Sequence, residues 1–272
     1  MVIDFFAKVC IKHGKFRQYS YMRRAAAQVM SYGVSMELMD SNPMKKPILP
    51  CKKEDNKEPN FYNKEELKVF MTFVKTLDNY KYYAFFRLLA ITGMRKSEAL
   101  ALYKSDLNIF NKTLTIGKTL AIDEFDNILL QKPKKKSSYR TISLDDETIR
   151  VLKHWFAIQK EDYLKLGYNT SKNKQLMFGN LSNNLFYPQV VNDWLNWIYD
   201  KAKKQGNNLK QISPHGFRHT ACSLMFESGA TINEVKKRLG HKDIKTTMNI
   251  YSYVTPKQAE NTSEKLANYL AF

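Results

Sequence analysis

Three features are missing or scarce in this sequence: a long apolar run, a secretory signal and paired cysteines. Among its 272 residues, no apolar stretch is long enough to cross a bilayer. The opening Met1–Lys8 carries an acid and lacks a small-residue cleavage site, unlike a signal peptide. The three cysteines, Cys10, Cys51 and Cys222, are odd in number and lack the spacing of metal ligands. These absences argue against a membrane protein and a disulfide framework, and they predict a cytoplasmic protein.

Acidic residues are also scarce relative to basic ones. The chain has 26 Asp and Glu against 44 Lys and Arg, a formal net charge of +18, and the basic residues are spread over its whole length. A polyanion is the expected partner of such a chain. Because the basic residues do not line one amphipathic helix, the pattern favours nucleic acid over an anionic membrane surface.

The N-terminal part contains one helical pattern followed by a linker pattern. Apolar residues at helical spacing predict a helix from about Gln18 to Met39, and Asn42-Pro43 is expected to stop it. Residues 43–59 combine prolines with many charges and offer little to bury, which is typical of a linker.

The larger C-terminal part is predicted to be mainly helical with a small antiparallel sheet inserted among the helices. It opens with Asn63 as an N-cap and Glu66 completing a capping box, and helices around Tyr82 to Ile91 and Lys96 to Leu102 follow. Three β-rich runs are then predicted as strands, at residues 113–116, 128–130 and 139–144. Later helices are predicted to start at Asp145, at Pro188 in a first turn, at His215, at Thr231 with Glu234 in a second capping box, and at Pro256.

Four short stretches carry a resemblance to a known family. They are Thr92–Glu98, Ser213–Thr220, Leu239–Asp243 and Thr246–Tyr251, and they resemble the boxes of tyrosine recombinases, particularly the integrases of phages and conjugative transposons. The resemblance extends from about Asn63 to the end, and more loosely over the helix and linker before it. It implies a bacterial, DNA-associated enzyme that cleaves and rejoins DNA through a 3′-phosphotyrosyl intermediate, without metal, ATP or other cofactor, to integrate or excise a mobile element.

Arginine and histidine side chains in these stretches suit a phosphate site. A guanidinium stays charged and matches phosphate geometry, so Arg95 and Arg218 are a natural clamp, and both match the family's catalytic arginines. Arg95 can also pair with Glu98, three residues on. His215 lies three residues before Arg218, on the same helix face, and the family motif places its catalytic histidine there. His241 matches the family's second active-site position and is expected to donate a hydrogen bond to a phosphate oxygen.

A basic side chain is expected to protonate the leaving 5′-oxygen, and the family uses a lysine for this. The stretch Lys132–Thr141 resembles the integrase pattern Pro-Lys-Thr-Lys-Ser-Ser before an Arg-Thr strand, which selects Lys134. The match departs at Lys135, where the pattern has threonine. Lys132 and Lys136 therefore remain competitors, and the whole cluster could instead grip the DNA backbone without chemistry.

The resemblance selects Tyr251 as the nucleophile among 16 tyrosines. A phenol is a weak nucleophile at its free pKa, so it requires a nearby base and a polarised phosphate. The family's nucleophile follows Asn-Ile directly, as Tyr251 does, whereas Tyr253 occupies a position where the family often has histidine. His219 is left out of the site, since it is expected to pack or cap locally.

Two other functions compete with this one. His215, His219, His241 and Asp243 could ligate a catalytic metal in a nuclease, but their spacing is unsuitable and Tyr251 would then be unexplained. A DNA-binding protein that kept the scaffold without the activity is the other alternative, and the intact set of candidate residues speaks against it.

The resemblance also implies how the protein is organised and assembled. It predicts a partial helical core-binding domain at 1–42, a linker at 43–59 and a catalytic domain at 60–272, which together clamp double-stranded DNA. The first domain is short for the family, so either the chain is a shortened form or the domain is reduced. A homotetramer on DNA and an accessory bending or excision factor are expected partners. The amphipathic tail at 256–272 either docks on a neighbouring protomer or packs on its own domain.

Overall fold

The computed structural model describes residues 16–45, 59–132, 138–168 and 174–240, with side chains from residue 20 onward. The chain divides into two compact units, Met1–Glu58 and Pro59–Phe272. None of the described helices is long and apolar enough to span a membrane.

The described part of the smaller unit is one helix with a chain segment folded back on it. Helix α1 spans Phe16–Ser35 and a 3-10 helix spans Pro43–Lys45. The predicted end at Met39 is wrong, because the backbone turns after Ser35 and Glu37 adopts a left-handed φ of 58°. Asn42 closes the turn by donating from Nδ2 to the Ala27 carbonyl at 2.8 Å.

Seven helices account for most of the described larger unit. They are α2 (Lys64–Lys75), α3 (Tyr80–Thr92), α4 (Lys96–Leu100), α5 (Asp146–Lys165), α6 (Val190–Lys204), α7 (Gly216–Glu227) and α8 (Ile232–Leu239), with a 3-10 helix at Lys104–Asp106. Both predicted capping boxes, Asn63 with Glu66 and Thr231 with Glu234, are confirmed. Pro188 does not lie in the first turn of α6 but in the turn before it.

The core of this unit surrounds α3. Its residues Phe85, Phe86, Leu88 and Leu89 are fully buried, and the helix packs against α2, α5 and α7. An apolar sequence on nearly every side of a helix indicates this central position. Since α3 ends directly before the Thr92–Glu98 stretch, the core fixes one end of the candidate site.

The described part of the larger unit has two small antiparallel sheets where the sequence predicted one. Strands β1 (Leu107–Asn108), β2 (Thr113–Ile116) and β5 (Arg140–Ser143) form a sheet in the order β1-β2-β5, and β3 (Thr119–Ile122) pairs with β4 (Ile128–Gln131). The predicted run at 128–130 therefore pairs with β3, which was missed, and not with the other two runs. The overall class, mainly helical with small antiparallel sheets, is confirmed.

Candidate active site

Helix α7 is held by aromatic rings around Phe217, which is fully buried. The ring centroid of Phe217 lies 5.8 Å from that of Tyr62, 5.3 Å from that of Phe70 and 5.2 Å from that of Phe86. Clustered aromatic rings of this kind stabilise a fold by more than the burial of their surface area alone. Because Arg218 is the next residue, this packing fixes the first turn of the helix that carries it.

The chain entering α7 is pinned by Asn60. Its side-chain amide donates to Ser213 Oγ at 2.8 Å, and its Oδ1 accepts from the Ser213 N–H at 2.8 Å. A Cβ on Gly216 would lie 2.6 Å from the Asn60 main-chain oxygen, so this approach requires a glycine. His215 lies between Ser213 and Gly216, is the N-cap of α7 and has a helical backbone conformation.

Arg218 is buried and joins two segments through main-chain oxygens. Its side chain donates from Nη1 to the Gly93 carbonyl at 2.8 Å and from Nη2 to the Leu239 carbonyl at 2.7 Å. Gly93 lies two residues before Arg95, so this bond brings the two predicted arginines to one place. Burial, and then the charge of Arg95, lowers the pKa of Arg218 to about 9, which leaves the guanidinium charged at neutral pH.

Gly93 is required by both its backbone and its neighbours. It caps α3 with a left-handed φ of 62°, a conformation that glycine adopts without steric cost. A Cβ there would lie 2.3 Å from Leu239 Cδ2 and 3.0 Å from Ala221 Cβ. The turn before Arg95 therefore packs directly on α7 and on the end of α8.

Arg95 is the N-cap of α4 and is held by Glu98, as predicted. Its Nη1 donates to Glu98 Oε1 at 2.9 Å, and its main-chain N–H donates to Glu98 Oε2, also at 2.9 Å. The carboxylate accepts as well from Arg140, whose Nη2 lies 2.9 Å from Oε2 in a buried ion pair. Burial alone would raise the pKa of Glu98, but the hydrogen bonds and charges of Arg140 and Arg95 outweigh it and hold that pKa below its ordinary value.

His215 and His219 lie on successive turns with their rings edge to face. Their centroids are 4.8 Å apart and the ring planes are 83° apart. Loss of hydration, the neighbouring His219 and then the charges of Arg218 and Arg95 lower the pKa of His215 to about 4. The imidazole of the free protein is therefore neutral at pH 7, which is the protonation state from which a general base acts. His219, which the sequence interpretation excluded, thus contacts a predicted site residue.

The other half of the predicted site lies outside the described residues. Lys134, His241 and Tyr251 fall there, as do Lys136, Tyr253 and the tail at 256–272. Within the described residues no three His, Cys, Asp or Glu side chains are grouped to hold a metal ion. The structure thus brings together Arg95, His215 and Arg218, and the placement of their predicted partners stays a prediction.

The sequence of the larger unit matches one protein family over most of its length. Residues 60–258 match the profile of the phage integrase family. The chain belongs to the phage integrase family. The predicted family resemblance is therefore confirmed, and Arg95, His215 and Arg218 all lie within the matched range.

Relatives within the family are integrases and recombinases of bacteria and their mobile elements. The chain is 30% identical over 250 residues to a tyrosine recombinase XerC-like protein of Caldanaerobacter subterraneus subsp. tengcongensis, covering 87% of this chain and 62% of that one. It is 25% identical over 216 residues to the ICEBs1 integrase of Bacillus subtilis, covering 79% of this chain and 56% of that one. The chain thus spans roughly three fifths of the length of these relatives.

Solved structures with the same fold include the Tn1549 transposon integrase in complex with transposon right end DNA. The TM-score is 0.79 at 18% identity, over 97% of this chain and 85% of that one. The XerH site-specific recombinase bound to a palindromic difH substrate matches with a TM-score of 0.66 at 20% identity, over 97% of this chain and 72% of that one. These likenesses establish that the fold is shared with the family.

Arg140 is the residue of this region to which the sequence interpretation gave no role. It had a detectable signal, because it lies two residues before the buried Ile142 in β5 and must therefore point to the same buried face. A charged side chain on a buried face requires a partner. The sequence does not identify that partner, since Glu98 lies 42 residues earlier.

Proposed function

We propose that the protein is a site-specific DNA recombinase that cleaves and rejoins double-stranded DNA to integrate or excise a mobile element. The observation that carries this proposal is the hydrogen bond from Arg218 to the carbonyl of Gly93, two residues before Arg95, which brings arginines from distant parts of the chain together. Family membership supports it, since all three described candidate residues lie in the matched range. Two cations so placed suit the non-bridging oxygens of one phosphate, on which charge builds during attack.

Each candidate residue has a part in one balanced step. The Tyr251 oxygen attacks phosphorus, the bond to the 5′-oxygen breaks, and a 3′-phosphotyrosyl link forms. The tyrosine proton goes to a base, for which neutral His215 is suited, and Lys134 gives a proton to the departing 5′-oxygen. His241 donates a hydrogen bond to the phosphate. A 5′-hydroxyl of a partner strand then reverses the step, so that no ATP is needed.

Double-stranded DNA is the proposed substrate in the bacterial cytoplasm. The net charge of +18 favours a polyanion, and structures of the same fold were solved with transposon DNA and difH DNA. We propose that 1–42 contributes to DNA binding, that 43–59 is a linker and that 60–272 carries catalysis. A homotetramer on DNA, with or without an accessory bending or excision factor, is the proposed working assembly.

The test is to trap the covalent intermediate on nicked duplexes that carry candidate recombination sites. A nick on the 3′ side of the scissile phosphate lets the short fragment that bears the freed 5′-hydroxyl diffuse away, so that the protein stays attached to the 3′-phosphate of the other fragment. The native chain is expected to form a complex that survives denaturing electrophoresis, Tyr253→Phe to retain it, and Tyr251→Phe to lose it. Retention by Tyr251→Phe would overturn the assignment of the nucleophile.

Two further arms separate the competing functions. Complex formation in excess EDTA is expected to be unchanged, whereas loss with the chelator and recovery with a divalent metal would favour a metal-dependent nuclease. A native protein that binds a site tightly by gel shift but never becomes attached to any nicked version of it would favour a DNA-binding protein without recombinase activity.

A further inference from the structure

We infer that Arg140 is a positioning residue for the candidate phosphate site, acting on Arg95 through Glu98. The inference rests on the proposed function, since it assigns Arg140 a part in the same reaction. Arg140 does not face the phosphate itself. It holds the carboxylate that orients Arg95, and it offsets the negative charge of that carboxylate.

The Glu98 carboxylate lies between two guanidinium groups and is shared by them. Its Oε1 accepts from Arg95 Nη1 at 2.9 Å and from Arg140 Nη1 at 3.4 Å. Its Oε2 accepts from the Arg95 main-chain N–H and from Arg140 Nη2, both at 2.9 Å. Both oxygens are thus bonded on each side, which fixes the carboxylate and, through it, the Arg95 side chain.

Arg140 also ties down two other segments that lead into predicted site residues. Its Nη1 donates to the Ser138 carbonyl at 3.1 Å, and its Nε donates to the Arg238 carbonyl at 2.8 Å. Ser138 directly follows the lysine-rich stretch that contains Lys134, and Arg238 lies three residues before His241. The Arg140 guanidinium therefore contacts the segments that lead to Lys134 and His241, and it acts on Arg95 through Glu98.

The contacts of Arg140 point to positioning instead of direct contact with substrate. Nε makes one bond, Nη1 two and Nη2 one, so four of its five N–H donors are already directed at protein oxygens. Arg95, by contrast, has a side chain that is 44% exposed and can reach a bound phosphate.

The positive charge of Arg140 preserves the attraction of Arg95 for a phosphate. A lone carboxylate beside Arg95 would neutralise it and would repel an arriving phosphate. Because Arg140 supplies a second positive charge to the same carboxylate, Arg95 keeps its attraction for the phosphate. Loss of Arg140 would leave Glu98 buried with Arg95 as its only remaining cation among these contacts, and the clamp would be weakened even where the fold survives.

The test compares Arg140 variants with matched variants of Arg87 on two substrates. Arg87 also donates to a carboxylate, that of Asp145 at 2.9 Å, but lies outside the candidate site. Arg140→Lys, Arg140→Met, Arg87→Lys and Arg87→Met are assayed for the rate of covalent attachment to a nicked site that the native chain cleaves. The second substrate carries a methylphosphonate at the scissile position, which lacks one negative charge and so demands less of a cationic clamp.

Arg140→Met is expected to slow attachment to the phosphate substrate by about 10- to 100-fold, the size of loss seen when a partner that orients a metal ligand is removed. On the methylphosphonate the loss should shrink several-fold, and Arg140→Lys should be intermediate. The Arg87 variants should show no such difference between substrates. An equal loss on both substrates, or no loss on either, would overturn the inference.

Two additions keep the outcome decisive. If Arg140→Met does not fold, as judged by circular dichroism, Arg140→Lys carries the test, together with the double variant Glu98→Gln with Arg140→Met, which removes the buried charge pair. If the native chain never becomes attached to any site, the proposed function fails. If it does, and the Arg140 variants behave like those of Arg87, only this inference fails.

Discussion

The two arginines that the structure brings together are held in opposite ways. Arg218 is 2% exposed, and its two Nη atoms donate to the main-chain oxygens of Gly93 and Leu239. Arg95 has a side chain that is 44% exposed and is held from one side by the Glu98 carboxylate. The Arg218 guanidinium is therefore part of the packing between α3, α7 and α8, while the Arg95 guanidinium lies at the surface of the candidate site.

This difference separates stability from chemistry at the same site. Loss of Arg218 should damage the fold and the proposed reaction together, because its contacts join three elements. Loss of Arg95 should damage mainly the reaction, because its contacts are local. The following changes test that separation, from the largest expected effect on the free energy of unfolding to the smallest.

Arg218→Met is expected to lower the free energy of unfolding by about 2–6 kcal/mol, because it leaves two buried carbonyl groups without their donor at about 1–3 kcal/mol each. Covalent attachment to DNA should also be lost. Urea denaturation followed by circular dichroism measures the first effect, and the nicked-site assay the second. A variant as stable as the native chain would contradict the structural half of the comparison.

Gly93→Ala should lower the same free energy by about 2–3 kcal/mol, since a Cβ meets both a left-handed backbone and the atoms of Leu239 and Ala221. The matched control is Gly206→Ala, which has a φ of 76° and no atom within 4 Å of the added Cβ. Gly206→Ala should lower the free energy of unfolding by the backbone strain alone, about 1–2 kcal/mol. Equal losses would show that the packing of α8 on this turn contributes nothing.

The sequence predicts the local parts of this arrangement well. Capping residues such as Asn63 and Thr231 mark helix starts through contacts made three residues away, and both are found where predicted. The ion pair between Arg95 and Glu98 is of the same kind. In each case a short spacing along the chain determines the contact, and no tertiary structure is needed to foresee it.

The contacts that bring the candidate site residues together join positions far apart in the sequence. Arg218 meets the Gly93 carbonyl across 125 residues, and Arg140 meets Glu98 across 42. The second sheet was missed although its turn is local: the Asp123 side chain accepts from the main-chain N–H groups of Phe125 and Asn127, and this turn joins β3 to β4. Without that turn in the interpretation, the run at 128–130 had no partner.

Arg95→Met is expected to change the free energy of unfolding by less than about 1 kcal/mol, because a partly exposed ion pair contributes little to stability. Covalent attachment should nevertheless fall as far as it does in Arg218→Met. Thermal denaturation and the nicked-site assay on one protein preparation measure both. A loss of stability similar to that of Arg218→Met would show that the two arginines are not held differently after all.

The smallest effect at pH 7 should come from His215, which is neutral there. Its pKa of about 4 lies below its ordinary value of 6.5 because burial, and then the charges around it, disfavour the charged ring. Between pH 6.5 and 4 the unfolded chain then binds more protons at this residue than the folded chain does. Its contribution to stability is therefore complete above pH 6.5 and is lost as the pH falls toward 4.

His215→Gln should accordingly be less sensitive to acid over that interval than the native chain, as measured by the difference in unfolding midpoint between pH 7 and pH 4.5. A direct check is the titration of the His215 ring by NMR. Phosphate in bound DNA would offset the charges of Arg95 and Arg218, so the pKa should rise when DNA binds. A pKa near 6.5 in the free protein would mean that neither burial nor the neighbouring charges act on this ring as the structure indicates.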